Sequence, residues 1–236
     1  MKKPNIIYIL ADDMGYGDIS RNNPSCPFTT PHLDNLCTHG MRFTDAHASS
    51  AVCTPSRYSL LTGRYNWRSR LKSYVTGGYS EPIIAPERKT VAHMLQEQGY
   101  WTAMVGKWHL GLDLPKNEGF HEEPDFAASD GIDYQGRIAQ GPRDNGFDYF
   151  YGISASLDMP PYVFIENDHF TSCPDRTTQG SGKGFWRKGP TAPDFHHEQV
   201  LDRLTDTVVN LMEERAPAAT RGIPFFIYFP MPAPHT

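Results

Sequence analysis

The chain has 236 residues, 39% hydrophobic and 21% charged, a balance that supports a buried core and excludes wholesale disorder. Its net charge of −5 argues against a nucleic-acid or anionic-membrane binder. Four cysteines (Cys26, Cys37, Cys53 and Cys173) with no C-x-x-C spacing exclude a disulfide scaffold and a structural zinc site, and no apolar run approaches the ~20 residues of a membrane span.

Met1-Lys2-Lys3 and the apolar run behind it imitate a signal peptide, but Asp12 and Asp13 follow at once without a small-residue cleavage site. Residues 5–10 are therefore predicted as a strand buried on both faces. Thr30-Pro31 opens a helix through Leu33 and Leu36 that Gly40 stops, and residues 41–46 read as another strand. Short helices are predicted over 55–61, ending before Gly63, and over 90–98, closed by Gly99; a strand over 100–105 follows the second. Between 113 and 194 the pattern weakens into Gly-, Pro- and aromatic-rich loops with a few short elements. Residues 197–215 then carry Val200, Leu201, Leu204, Val208, Leu211 and Met212 at helical spacing, and 224–229 is a strongly apolar strand. This alternation predicts a mainly parallel central sheet flanked by helices.

Cys53-Thr54-Pro55-Ser56-Arg57 places a cysteine at the start of a helix, where backbone N–H groups and the dipole favour an anion and Arg57 adds a positive charge one turn on. A half-buried structural cysteine is one reading. A thiolate phosphatase is a second, and it fails: the sixth residue after Cys53 is Ser59 rather than arginine, and Val52 stands where a histidine is wanted. The third reading is a resemblance. Cys-x-Pro-Ser-Arg followed by Leu61-Thr62-Gly63-Arg64 is similar to the signature of the type I sulfatases, of the alkaline phosphatase superfamily. That resemblance implies oxidation of Cys53 to formylglycine by a formylglycine-generating enzyme during maturation.

Three further segments bear on it. Asp12-Asp13, at the end of the first strand, repel unless a cation neutralises them, and oxygen ligation suits calcium or magnesium. They stand in Ile-Leu-Ala-Asp-Asp-Met-Gly-Tyr-Gly-Asp, which resembles the sulfatase metal-binding segment; the resemblance makes Asp12, Asp13 and residue 53 ligands to calcium, with magnesium as the other candidate, and leaves Asp18 structural. Lys107 and His109, two apart in an extended segment, project from the same side. Gly106-Lys107-Trp108-His109 and Pro234-His235 resemble family motifs in which the lysine and the second histidine bind sulfate and the first histidine contacts the formylglycine hydrate. By a weaker match, Ser156 corresponds to a serine of the substrate pocket. Tyr162, Glu166, Asn167, Asp168 and His169 form a polar, aromatic run suited to a sugar. The remaining histidines, His197 among them, match nothing.

The resemblance implies hydrolysis of sulfate monoesters, on a carbohydrate or other sulfated small molecule: Arg57 and a metal favour the alkoxide of the hydrate, Lys107 and His235 spread charge on the sulfuryl oxygens, and His109 takes a proton as sulfate leaves. A phosphoester or phosphonate hydrolase of the same superfamily, and a non-catalytic binder of sulfated glycans, stand as alternatives. An extracytoplasmic location, with the signal peptide outside this chain, is expected, and a cytoplasmic one stays open. The matched motifs belong to the N-terminal part of a sulfatase catalytic domain. The second pair of metal ligands, another lysine and the smaller C-terminal domain are expected beyond residue 236, so the chain alone is expected to bind metal weakly and to have little or no activity. The apolar strand over 224–229 is expected to lack neighbours on one side.

Overall fold

The computed structural model describes residues 3–235, so Met1 and Lys2 of the signal-like stretch lie outside it. In chain order the principal elements are β1 (Ile6–Asp12), α1 (Pro31–His39), α2 (Cys53–Thr62), α3 (Val91–Glu97), β2 (Trp101–Lys107) and β3 (Tyr149–Ile153). Then come β4 (Ile165–Glu166), β5 (His169–Phe170), β6 (Arg176–Thr178), β7 (Gly189–Thr191), α4 (Val200–Thr220) and β8 (Phe225–Pro234). The main sheet has the order β1-β8-β2-β3-β4-β5; its first four strands run parallel, and the β4–β5 hairpin closes one edge antiparallel. β6 and β7 form a separate two-stranded ribbon.

The expected parallel α/β sheet is present, with two corrections to its placement. β8 is flanked on both sides, by β1 and by β2, so its apolar run Phe225–Phe229 is fully buried rather than short of a neighbour. The free edge belongs to β1 instead, and there Ile7, Tyr8 and Ile9 are exposed rather than buried on both faces. Residues 41–46 form no strand: they find no ladder partner among the described residues, and Met41 and Phe43 stand in solvent. Apolar alternation without a neighbouring ladder does not make a strand.

Local chemistry explains the helix ends. Gly63 adopts φ 64° and its N–H bonds the Ser59 carbonyl, a left-handed stop that an L-side chain rarely takes. Thr90 caps α3 by accepting from the His93 N–H. Four buried residues of α4, Val200, Leu204, Val208 and Leu211, make the stripe that packs across β8, β2 and β3. With Met104, Phe150 and Ile227 they form part of the core, each large side chain contributing about 1.5–3 kcal/mol by leaving water.

β2 and β3 approach closely where they end. Gly106 and Gly152 are register partners, and a Cβ on Gly152 would stand 1.9 Å from the Gly106 carbonyl oxygen. Parallel strands bring their C-terminal ends to one edge of the sheet, so β1 delivers Asp12, β2 Lys107, β3 the 154–156 segment and β8 His235 to the same place.

Candidate active site

Lys107 is the centre of this edge. Its side chain is fully buried, and Nζ donates to Asp12 Oδ2 at 2.5 Å and to Ser156 Oγ at 3.0 Å, and lies 3.4 Å from Cys53 Sγ. Arg57, equally buried, reaches over from α2: Nη1 donates to the Lys107 carbonyl at 2.7 Å and Nη2 lies 3.4 Å from Asp12 Oδ2. Burial would push the Asp12 carboxyl up, but the charges of Lys107 and Arg57 and the hydrogen bond from Lys107 outweigh it and hold Asp12 below the usual carboxylate range. Burial raises Cys53, and the two cations only partly oppose it. The thiol therefore stays protonated at neutral pH, a poor nucleophile as it stands.

His235 joins through its backbone and both ring nitrogens. Its N–H bonds the Asp12 carbonyl at 3.0 Å, Nδ1 lies 3.5 Å from Ser156 Oγ, and Nε2 lies 3.7 Å from Asp13 Oδ2. His109 is placed differently from the two-apart expectation, because β2 stops at Lys107 and His109 turns to φ 57°. Thr54 and Thr76 hydroxyls donate to its carbonyl at 2.8 and 3.0 Å. Its Nε2 lies 2.6 Å from the Thr76 carbonyl; a carbonyl only accepts, so Nε2 carries the proton and Nδ1 is bare, buried and without a partner among the described residues. Complete burial, reinforced by Lys107 and Arg57, pushes His109 well below its ordinary value and keeps it neutral.

Asp12, Asp13 and Cys53 offer ligand atoms within 4.8 Å of one another. Three atoms so spaced can all reach a calcium at its usual ~2.3–2.6 Å. A thiol suits a hard cation poorly, whereas an oxygen at the same position would complete an all-oxygen set. A cleft of about 300 Å³ opens over these residues, between the end of β1 and the start of α2.

The expected site residues Asp12, Asp13, Cys53, Arg57, Lys107, His109, Ser156 and His235 thus gather at one sheet edge. The polar, aromatic run does not join them. Glu166 pairs with Tyr151 and the Asn167 N–H bonds the Phe150 carbonyl, so the β4–β5 turn points towards the start of β3, away from the strand ends that carry the site. Asp168 is engaged there by Arg137 and His169, and Tyr162 is buried with its hydroxyl on the Arg187 carbonyl. Thr76, which orients His109, carries no signal in the sequence.

The sulfatase family model matches residues 4–236. This chain belongs to the sulfatase family. It is 39% identical over 213 residues to an N-acetylgalactosamine-6-O-sulfatase of Bacteroides thetaiotaomicron, covering 89% of this chain and 39% of that protein. It is 34% identical over 251 residues to mouse (Mus musculus) arylsulfatase G, covering 96% of this chain and 40% of that protein. Among solved structures, a 6S-sulfatase from the glycosaminoglycan metabolism of Bacteroides thetaiotaomicron superposes over 100% of this chain and 52% of its own, with a TM-score of 0.79 at 33% identity. A phosphonate monoester hydrolase of Agrobacterium radiobacter, at 19% identity and a TM-score of 0.55 over 99% of this chain and 42% of its own, shares the fold alone. The sulfatase chain has the alkaline phosphatase-like α/β fold that the resemblance implied. It spans about two fifths of the length of the N-acetylgalactosamine-6-O-sulfatase and of mouse arylsulfatase G.

Proposed function

We propose that this chain forms the N-terminal, sulfate-binding part of a sulfatase catalytic domain that hydrolyses sulfate monoesters on a carbohydrate, with Cys53 matured to formylglycine and calcium held by Asp12, Asp13 and residue 53. The observation that carries this reading is the convergence on the Lys107 ammonium of Asp12, Cys53 and Ser156, with His235 alongside. The formylglycine hydrate would supply the nucleophile for sulfur, and the cation would supply charge neutralisation at the same oxygen. Three ligands fall short of the 6–8 oxygens calcium takes, so further groups complete its sphere.

The chain's own residues have distinct parts. Arg57 sits on Asp12 and on the Lys107 carbonyl, fixing both strand ends relative to the start of α2. Lys107, fully buried, and His235, half-buried, present cationic or hydrogen-bonding groups to sulfuryl oxygens beside the open cleft, as donors already held in place by their neighbours. Ser156 lies between them and orients both. His109, neutral with a bare Nδ1, can accept a proton without first losing one.

The test uses the full-length gene product, expressed together with a formylglycine-generating enzyme. Mass spectrometry of the tryptic peptide 43–57 is expected to show formylglycine at position 53, and the purified protein to release sulfate from sulfated sugars. An unmodified Cys53 in a preparation from native cells, together with no sulfate release, overturns the reading.

A further inference from the structure

A second cleft, of about 210 Å³, has His235 in its wall and is otherwise lined by Leu157, the 183–186 segment, His197 and Glu198. That volume lies below the ~300–1,000 Å³ of drug-sized ligand pockets, a size for a single ring rather than an extended chain. Its floor is rigid. The Trp186 ring stacks on His197 at 3.9 Å and 16°, and its N–H donates to Thr178 Oγ1 at 3.2 Å. The loop between β6 and β7 that carries Trp186 is tied back to the segment bearing Ser156: the Arg187 N–H bonds the Asp158 carbonyl at 3.1 Å, and the two side chains form an ion pair. The loop and the segment bearing Ser156 are therefore held together.

The lining is chemically mixed in a specific way. Leu157, Phe185 and Trp186 offer apolar and aromatic surface, while Lys183 and Glu198 are exposed and in no ion pair among the described residues. Aromatic surface suits the C–H face of a sugar, a carboxylate accepts from hydroxyls, and an ammonium donates to hydroxyl or carbonyl oxygens. The two charges cancel, so the cleft favours a ring without charge of its own. A flat aryl group lacks the hydroxyls with which these side chains would pair, so it would gain nothing from them.

We propose that this cleft is the subsite for the sugar ring that carries the ester, an uncharged hydroxylated hexose or N-acetylhexosamine, with Glu198 and Lys183 as its specificity-determining residues. The proposal rests on the sulfatase reading and deepens it. Neither residue was visible as functional in the sequence: Glu198 sits at the start of the helical segment and Lys183 in a Gly-rich loop.

The test compares kcat/KM of the full-length, formylglycine-bearing protein for a panel of monosulfated hexoses and N-acetylhexosamines with that for 4-nitrophenyl sulfate. Glu198→Ala and Lys183→Ala are each expected to lower the sugar-to-aryl ratio by about tenfold or more, the scale of one charged hydrogen bond, chiefly through KM. Lys188→Ala, an exposed lysine of the same loop outside the cleft, is expected to leave the ratio unchanged. Binding of the unsulfated sugars, followed by NMR, is measured on the same variants. A ratio that stays within twofold in both cleft variants, or that falls equally in Lys188→Ala, overturns the subsite while leaving the sulfatase reading intact. If no ester is turned over but sugar binding is lost in Glu198→Ala and Lys183→Ala, the sulfatase reading fails and the ring subsite stands.

Discussion

Replacing Lys107 by methionine keeps most of the length of the side chain and removes its charge. In the native protein Lys107 is fully buried and Asp12 is 4% exposed, with Nζ 2.5 Å from the carboxylate oxygen. Removing one partner of such a pair leaves a buried charge unmatched, which costs about 3–5 kcal/mol. Arg57 remains 3.4 Å from the same oxygen, so the lower end, about 3 kcal/mol, is expected. For a chain of this length that corresponds to a fall in Tm of roughly 6–12 °C. Urea denaturation in the presence of a chelator measures it. The double variant D12N/K107M removes both charges but leaves the buried Arg57 guanidinium without its carboxylate, so it is expected to recover only about 1 kcal/mol of stability relative to K107M while remaining unable to turn over sulfate esters. The pH dependence has a definite sign. Native Asp12, held below its unfolded value, contributes stability that is present above about pH 4 and lost as pH falls through its folded value. The deficit of K107M is therefore largest near neutrality and shrinks in acid. A loss below about 1 kcal/mol for K107M, or a double variant as unstable as the sum of its singles, would refute the reasoning.

Gly152→Ala drives a methyl group into the Gly106 carbonyl, and is expected to destabilise by about 3 kcal/mol or more and to disturb Lys107 next in the strand, read by denaturation and by sulfate-ester turnover of the full-length protein. Burial lowers His197 to about 4, with Glu198 only partly opposing it, so its contribution to stability is complete above about pH 6.5 and is lost as pH falls towards 4. Discounted for its partial exposure, the effect is about 1–2 kcal/mol; His197→Phe should flatten that part of the acid limb, and parallel curves for the two proteins would speak against it. Calcium at about 100 times its Kd is expected to stabilise the full-length protein by roughly 2.7 kcal/mol. Asp13→Asn should abolish most of that shift in a calorimetric scan, and an equal shift in the variant would place the calcium elsewhere.

The candidate site residues are legible in short stretches of sequence because each motif carries its residues within a few positions of one another. Cys53 and Arg57 lie one turn apart on a helix, Asp12 and Asp13 are adjacent, and Lys107 and His109 flank a tryptophan. The parallel α/β character follows from strand–helix alternation, and the stop at Gly63 and the start after Thr90 from single residues whose backbone or side-chain chemistry acts locally.

Strand order is another matter, because it is decided by which ladders pair across long separations. Nothing local distinguishes residues 5–10 from 224–229, yet the first is the exposed edge and the second lies between two neighbours. The same long-range packing turns residues 166–169 away from the site, buries Tyr162 against His197, and brings His197, Glu198 and Lys183 to His235. Sequence alone therefore named the candidate groups for the proposed chemistry. Only the tertiary structure decided which of them share a cavity, because side chains from distant segments meet where parallel strands end together and a helix begins.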